Sequence, residues 1–245
     1  MRVLKIVAEG QMTSFRYPFF MLGVQPTFTM PPPSTLYGHV ASALGEWFDP
    51  TGVHFAVHFI FEKRVLEIEH THVLKSATGR IPGKGDPKVL EGATNPYQRE
   101  VLFRPKLTLY LNRPEWLDAF RCPKYPVVLG RSQDLFTYTD IRVIDLHKRN
   151  EFYVEHTLLP YEFRRYISKG IAVLMPQYLD NDRQRFPHFR QFIVLNRRVH
   201  VRDFIYPGDN KLSLWVDPSA PAVDGDQLGL VFHAWTSDEE TSITA

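Results

Sequence analysis

The chain has a single cysteine, Cys122, among its 245 residues. That count excludes an internal disulfide and a cysteine-rich zinc site. No apolar run approaches the ~20 residues that a membrane span requires. The opening Met1-Arg-Val-Leu-Lys-Ile-Val-Ala-Glu-Gly10 is broken by Lys5 and Glu9, so it lacks a signal-peptide apolar region. A cytoplasmic protein with no membrane contact is the expectation. A phosphate-binding P-loop is also missing: Gly83-Lys84-Gly85-Asp86 has neither the upstream glycine spacing nor the Ser/Thr. His70 and His72 fall on one face of a strand, but no pattern supplies a third and fourth metal ligand. Neither metal nor cofactor is expected.

What is present is an ordinary globular composition, 44% hydrophobic and 23% charged, long enough for a real core. The net charge of +2 is unevenly spread. Beyond Asp203 one base, Lys211, faces seven acids, a balance of −6, which leaves +8 on residues 1–203. A basic body with an acidic tail suits a polyanionic partner, with the tail directed elsewhere. It also suits plain solvated surface.

The stretch Thr29-Met-Pro-Pro-Pro-Ser-Thr-Leu-Tyr-Gly-His-Val-Ala-Ser-Ala-Leu-Gly45 organises the chain. Three prolines enforce an extended lead-in, and Ser34 then stands where an N-cap belongs. Leu36, Val40, Ala43, Leu44 and Trp47 follow at helical spacing as one apolar face. Gly38 and Gly45 are poor helix formers and suggest close approach of another group or a helix end. The helix start is a natural anion site. A rigid turn into a core helix reads the same residues equally well.

Around this helix the pattern runs strand, helix, two strands, helix, strand, over residues 2–8, 34–48, 54–74, 101–111, 115–121 and 126–129. That is the ferredoxin-like plan. Residues 75–100 break the periodicity with glycines and prolines and read as a hairpin tip presenting Lys75, Arg80, Lys84 and Lys88. The loop after the first strand carries Ser14, Phe15 and Arg16, the parts needed to stack a base and grip a phosphate. Phe15 plugging the core is the competing reading. Gly130-Arg-Ser-Gln-Asp134 ends an apolar strand with donors and a guanidinium at a sheet edge; an Arg131–Asp134 bridge is the structural alternative. Residues 152–235 read as short strands split by turns, a second β-rich lobe. The expected class is therefore α+β: a ferredoxin-like domain over 1–147 with a β-hairpin thumb at about 75–100, then a small β-rich domain over 148–245.

Three segments together resemble one family: Gly10…Ser14-Phe15-Arg16, Pro32-Pro-Ser-Thr-Leu-Tyr-Gly38 with Ala43-Leu-Gly45, and Leu129-Gly-Arg-Ser-Gln-Asp-Leu135. In this order they are similar to the Cas five family of CRISPR-associated proteins, within the RAMP superfamily, over roughly the first 135 residues. The Gly-Arg-Ser-Gln-Asp form most resembles members from type I-B systems. The resemblance implies a subunit of the Cascade surveillance complex that holds and caps the 5′ handle of the CRISPR RNA. It implies contacts with the backbone subunit and the large subunit, close to target DNA at the flanking motif. The implied RNA-binding residues are Ser14, Phe15, Arg16, Ser34, Thr35, Arg131, Ser132 and Gln133, with Lys75, Arg80, Lys84 and Lys88 on the thumb. One branch of the family, from type I-C systems, is similar but cuts precursor RNA without metal, using a first-helix tyrosine and a Lys-His pair. Tyr37 and His39 lie on the helix, yet the chain contains no Lys-His dipeptide, only His147-Lys148. A non-catalytic binder is the expectation, with the metal-independent endoribonuclease as the alternative. A chance match by an unrelated β-rich interaction module is a third reading.

Overall fold

The computed structural model describes residues 1–20, 23–88, 90–205 and 212–236. In chain order the first part comprises β1 (Arg2–Gly10), β2 (Met12–Thr13), β3 (Val24–Gln25), α1 (Pro33–Leu44), β4 (His54–Ile60), β5 (Lys63–Ser76), β6 (Leu90–Phe103), β7 (Lys106–Leu111), α2 (Leu117–Arg121) and β8 (Phe136–Asp145). The second part comprises β9 (His147–Arg149), β10 (Phe152–Val154), β11 (Thr157–Pro160), β12 (Ile171–Asp180), β13 (Phe186–Leu195), β14 (Val199–His200), β15 (Leu214–Asp217), β16 (Gln227–Leu230) and β17 (His233–Ala234).

The central sheet has the order β17-β4-β7-β1-β8. Within it β4, β7, β1 and β8 form the antiparallel ferredoxin-like sheet, with α1 after the first strand and α2 before the last. The fourth strand differs from the sequence expectation. It is Phe136–Asp145, whereas 126–129 contributes only an isolated bridge between Val128 and Leu135. The apolar run Val127-Val-Leu129 is instead held by tertiary contacts: His39 Nδ1 lies 2.8 Å from the Val128 carbonyl.

β1 is buried almost throughout because both sheet faces are covered. Leu4, Ile6 and Ala8 face α1 in the main core, which also takes Leu158, Met175, Phe192, Val194 and Trp235 from the second part. Val3 points the other way, into a cluster with Ala56, Tyr110, Tyr153, Leu228 and Leu230. Trp235 stacks on Phe55 at 4.4 Å and donates its indole N–H to the Pro33 carbonyl at 2.7 Å, tying the chain's later residues to the start of α1.

α1 starts two residues earlier than the cap motif suggests. Pro32 occupies the cap position, no side chain caps the helix, and Ser34 lies within the first turn. The helix ends at Leu44, so Trp47 is outside it, 58% exposed, with its ring stacked on Tyr37. Gly45 closes the helix at φ +89° through an N–H to the Ala41 carbonyl at 2.8 Å, the left-handed cap that glycine favours. The close approach expected at Gly38 is absent: a Cβ there would meet nothing within 4 Å.

The thumb is longer than the sequence indicates. β5 and β6 pair from Lys63↔Phe103 to Ser76↔Leu90, so the ladder begins well before residue 75. Strand alternation across 63–74 belongs to this hairpin and not to the central sheet. Of the acidic tail, Asp209, Asp238, Glu239 and Glu240, with Lys211, lie outside the described residues.

The two parts share a buried ion pair behind the central sheet. Lys5 Nζ donates to Asp217 Oδ2 at 2.6 Å, and the Tyr110 hydroxyl donates to the same oxygen at 2.8 Å. Ser219 supplies its N–H and hydroxyl to Oδ1, at 2.7 and 2.6 Å. Burial alone would raise the Asp217 pKa, but Lys5, Ser219 and Tyr110 together hold it below the ordinary value. The stabilisation is therefore present above the unfolded pKa of about 3.9 and is lost as pH falls through the lower folded value. Asp217→Ala would strand a buried ammonium, and it is expected to cost about 3–5 kcal/mol in urea unfolding at neutral pH. The gap between wild type and variant should close as pH falls below about 4; a gap independent of pH would contradict the assignment.

Candidate nucleic-acid site

The segments 12–16, 35, 99 and 129–135 converge beside α1. Ser14, Phe15, Arg16, Thr35, Arg99, Gly130 and Arg131 line a cavity of about 240 Å³. Its geometry is set by one buried carboxylate. Asp134 Oδ2 accepts the Ser14 N–H at 3.2 Å and the Arg131 N–H at 2.9 Å. The Arg131 guanidinium grips the same carboxylate, Nη2 to Oδ1 at 2.8 Å and Nε to both oxygens at 3.1 Å. The structural alternative for Arg131 is thus realised. Its remaining reach goes to Glu67 at 3.4 Å and Glu69 at 3.8 Å on β5. Burial disfavours its charge, but Asp134, Glu67 and Glu69 more than offset that and raise its pKa.

Glycine is required at position 130. Its φ is +106°, and a Cβ would fall 2.4 Å from Thr13 Oγ1 and 3.0 Å from Asp134 Oδ2. The Thr13 hydroxyl in turn donates to the Leu129 carbonyl. β6 adds two links: the Ser14 hydroxyl donates to the Glu100 carbonyl at 2.8 Å, and Glu100 Oε2 accepts the Thr27 N–H at 3.1 Å.

The expected site residues divide into four groups. Ser14, Arg16, Thr35 and Arg131 meet at the cavity, and Arg16 is exposed. Phe15 lines the wall but is 3% exposed and packs edge-on against Phe59 at 5.5 Å, so its ring is core and is not free to stack on a base. Ser34 is half-buried in the first helical turn, while Ser132 and Gln133 are exposed in the turn beside the cavity. Lys75, Arg80 and Lys84 are exposed, and Lys88 half-buried, at the far end of the hairpin, where Arg80 bridges Pro87. They do not line the cavity.

Arg99 is the residue that sequence reading missed. It is 5% exposed, its Nε is bonded to Glu69, and Nη2 donates to the Tyr97 hydroxyl at 3.1 Å. Glu69 is held below the ordinary carboxylate value, because Arg99, Tyr97 and Arg131 outweigh its burial. Of the three cavity arginines, Arg16 is the one without a carboxylate partner among the described residues.

The tyrosine and histidine of α1 are turned away from this cavity. The Tyr37 hydroxyl donates to the Phe48 carbonyl at 2.5 Å inside an aromatic cluster with Trp235 and Tyr178, and burial raises its pKa. His39 is 4% exposed. A carbonyl only accepts, so Nδ1 carries the proton toward Val128 and Nε2 accepts from Tyr138 at 3.1 Å. Burial lowers the His39 pKa and keeps the ring neutral. Among the described residues no group of three or more His, Cys, Asp or Glu could hold a metal ion, and no helix is long and apolar enough to cross a membrane.

No protein-family model and no curated protein matches the chain. Solved structures do. A chain of a CRISPR RNA-guided surveillance complex is similar over 85% of this chain and 95% of its own, at 18% identity and a TM-score of 0.51. A CRISPR protein from Archaeoglobus fulgidus aligns over 96% of this chain and 100% of its own, at 11% identity and a TM-score of 0.48. The α+β fold expected from the sequence is thus shared with a chain of a CRISPR RNA-guided surveillance complex.

Gly130→Ala is expected to destabilise the protein by at least about 1–3 kcal/mol, from the backbone conformation alone. Arg131→Ala, which leaves a buried carboxylate short of its main partner, should cost about 3–5 kcal/mol. Arg16→Ala should leave the urea midpoint within error. An unchanged midpoint for Arg131→Ala would show that the Asp134 bridge is not structural.

Proposed function

We propose that this protein is a non-catalytic subunit of a CRISPR effector complex of the type I Cascade kind, binding and capping the 5′ handle of the CRISPR RNA. One observation carries the reading. The three sequence segments that resemble the Cas five family, far apart in the chain, meet at a single cavity lined by the exposed Arg16, whose guanidinium has no carboxylate partner among the described residues. Arg16 supplies a charge-assisted donor for a phosphate. Thr35 in the first turn of α1 and the exposed Ser132 and Gln133 add hydroxyl and amide groups beside it. Such donors suit a bent single strand, whose backbone and unstacked bases are both accessible. Arg99 and Arg131, neutralised by Glu69 and Asp134, give the cavity its shape more than its charge.

In this reading the β5–β6 hairpin reaches toward the backbone subunit with its basic tip, and the large subunit and the target DNA at the flanking motif lie nearby. The similarity to a surveillance-complex chain supports membership of such an assembly through fold. The endoribonuclease alternative draws less support, since the Tyr37 hydroxyl and both His39 nitrogens are engaged in internal hydrogen bonds.

Incubation with repeat-derived RNA in chelator tests the reading. Binding with protection is expected, while cleavage would favour the endoribonuclease. Arg16→Ala should weaken repeat-RNA binding about tenfold, the loss of one charge-assisted hydrogen bond. Changing Lys75, Arg80, Lys84 and Lys88 together to Ala should lower the salt slope by about 0.7 for each phosphate that is no longer neutralised. Unaltered affinity in the first variant would remove the cavity from the handle path, and an unaltered slope in the second would remove the hairpin tip.

A further inference from the structure

The positive charge of the chain is concentrated in neither the cavity nor the thumb. Residues 161–202 hold nine lysines and arginines against three acids, a balance of +6. The whole β5–β6 hairpin, residues 63–103, holds seven bases against five acids, only +2. At the centre of the basic segment is a second hairpin, β12–β13, whose turn and outgoing strand read Arg183-Gln-Arg-Phe-Pro-His-Phe-Arg190. Arginines at 183, 185 and 190 flank aromatic rings at 186, 188 and 189 there.

The geometry presents these groups to solvent. The base of β12–β13 packs on the main core through Met175, Phe192 and Val194, but the outer part extends beyond it. Phe186 is 58% exposed and the Arg183 side chain 77% exposed. The register pairs Asp180 with Phe186 and Tyr178 with His188, so Phe186 and His188 share one face, their rings 5.8 Å apart. Phe189 points to the other face and stacks on Phe19 at 5.5 Å, with Phe19 itself 61% exposed. Arg185 has no carboxylate partner among the described residues, and the contact of Arg183 with Asp180 is long, at 3.6 Å. Gln184 and Arg185 both have positive φ, +54° and +62°, a conformation that L side chains adopt at a cost.

We propose that the tip of β12–β13 and the adjoining part of β13 form a second binding surface, for a single-stranded polynucleotide, with Arg183 and Arg185 on phosphates and the Phe186–His188 face as the stacking platform. Cationic side chains tracking a backbone, with aromatic rings accepting successive bases, are the two features that sequence-tolerant single-strand binding requires. Phe19 lies in the same loop as Ser14 and Arg16, so the Phe19–Phe189 stack ties this arm to the loop that contributes to the cavity. That the strand on the arm continues the one in the cavity rests on the function proposed above; the arm's affinity for single strands does not.

Fluorescence anisotropy with labelled twelve-nucleotide oligouridine and oligothymidine tests the surface on the full chain. The double variant Arg183→Ala/Arg185→Ala should lose about tenfold or more in affinity, and its salt slope should fall by about 1.4, for two phosphates. Phe186→Ala should lose about fivefold or more with no change of slope. All these positions are exposed, so melting temperatures should match wild type. Equal loss on both probes assigns the surface to single strands in general, and loss on oligouridine alone assigns it to RNA. Wild-type affinity in both variants overturns the inference, and does so without touching the cavity reading if Arg16→Ala still weakens repeat-RNA binding. Conversely, losses on the arm with a neutral Arg16→Ala sustain the arm and sink the cavity. Loss of binding to polyglutamate with oligonucleotide binding intact would make the arm a protein-docking surface and likewise overturn the inference.

Discussion

The site depends on the desolvated carboxylate of Asp134. A buried charge is tolerated only when paired and hydrogen-bonded. Asp134 meets that condition by drawing together groups from separate parts of the chain: the Ser14 N–H from the first loop, and the N–H and guanidinium of Arg131 from its own turn. Arg131 passes the constraint on, because its free end reaches Glu67 and Glu69 and so fixes the root of the β5–β6 hairpin. Glu69 then engages Arg99 on the paired strand. One chain of alternating charges thereby sets the distances among loop, turn and hairpin, and what remains between them is the cavity. Gly130 belongs to the same constraint, since any side chain there would displace Thr13 or the carboxylate.

The platform beneath is rigid for a related reason. The ferredoxin-like sheet is covered on both faces, by α1 with the β11–β13 strands on one side and by the β10, β15 and β16 strands on the other. Lys5 would be intolerable on such a doubly buried strand without Asp217, and the pair fixes how the later strands seat on the sheet. Rigid support under a polar cavity is what preorganised recognition needs.

Much of this was legible in the sequence. The strand and helix order and the thumb's basic tip follow from periodicity and composition; the proline-rich lead-in to α1 and the Gly-Arg-Ser-Gln-Asp turn stand out by their own residues, but that they meet beside Ser14 and Arg16 was only implied by the family resemblance. What failed did so because tertiary contacts overrode local pattern. Val127-Val-Leu129 looks like a strand, but its place in the sheet is taken by Phe136–Asp145, a longer stretch able to pair along the whole of β1. Phe15 carries the chemistry to stack on a base, yet Phe59 lies within reach and the ring is more stable buried. Arg99 looks like an ordinary strand residue until Glu69, thirty positions away, is seen beside it. The cluster of arginines and aromatic rings at 183–190 drew no reading from the sequence, because only the exposure of Phe186 and the stack of Phe189 on Phe19 separate it from a turn with a buried strand.

The central claim is that the cavity organised by Asp134 is where single-stranded RNA lies. Ultraviolet crosslinking of repeat-derived RNA to the full chain, read out by mass spectrometry of the crosslinked peptides, tests it most directly. The account predicts crosslinked peptides containing residues 14–16, 33–37 and 130–133. Efficient crosslinking that leaves all three segments unmodified would contradict it.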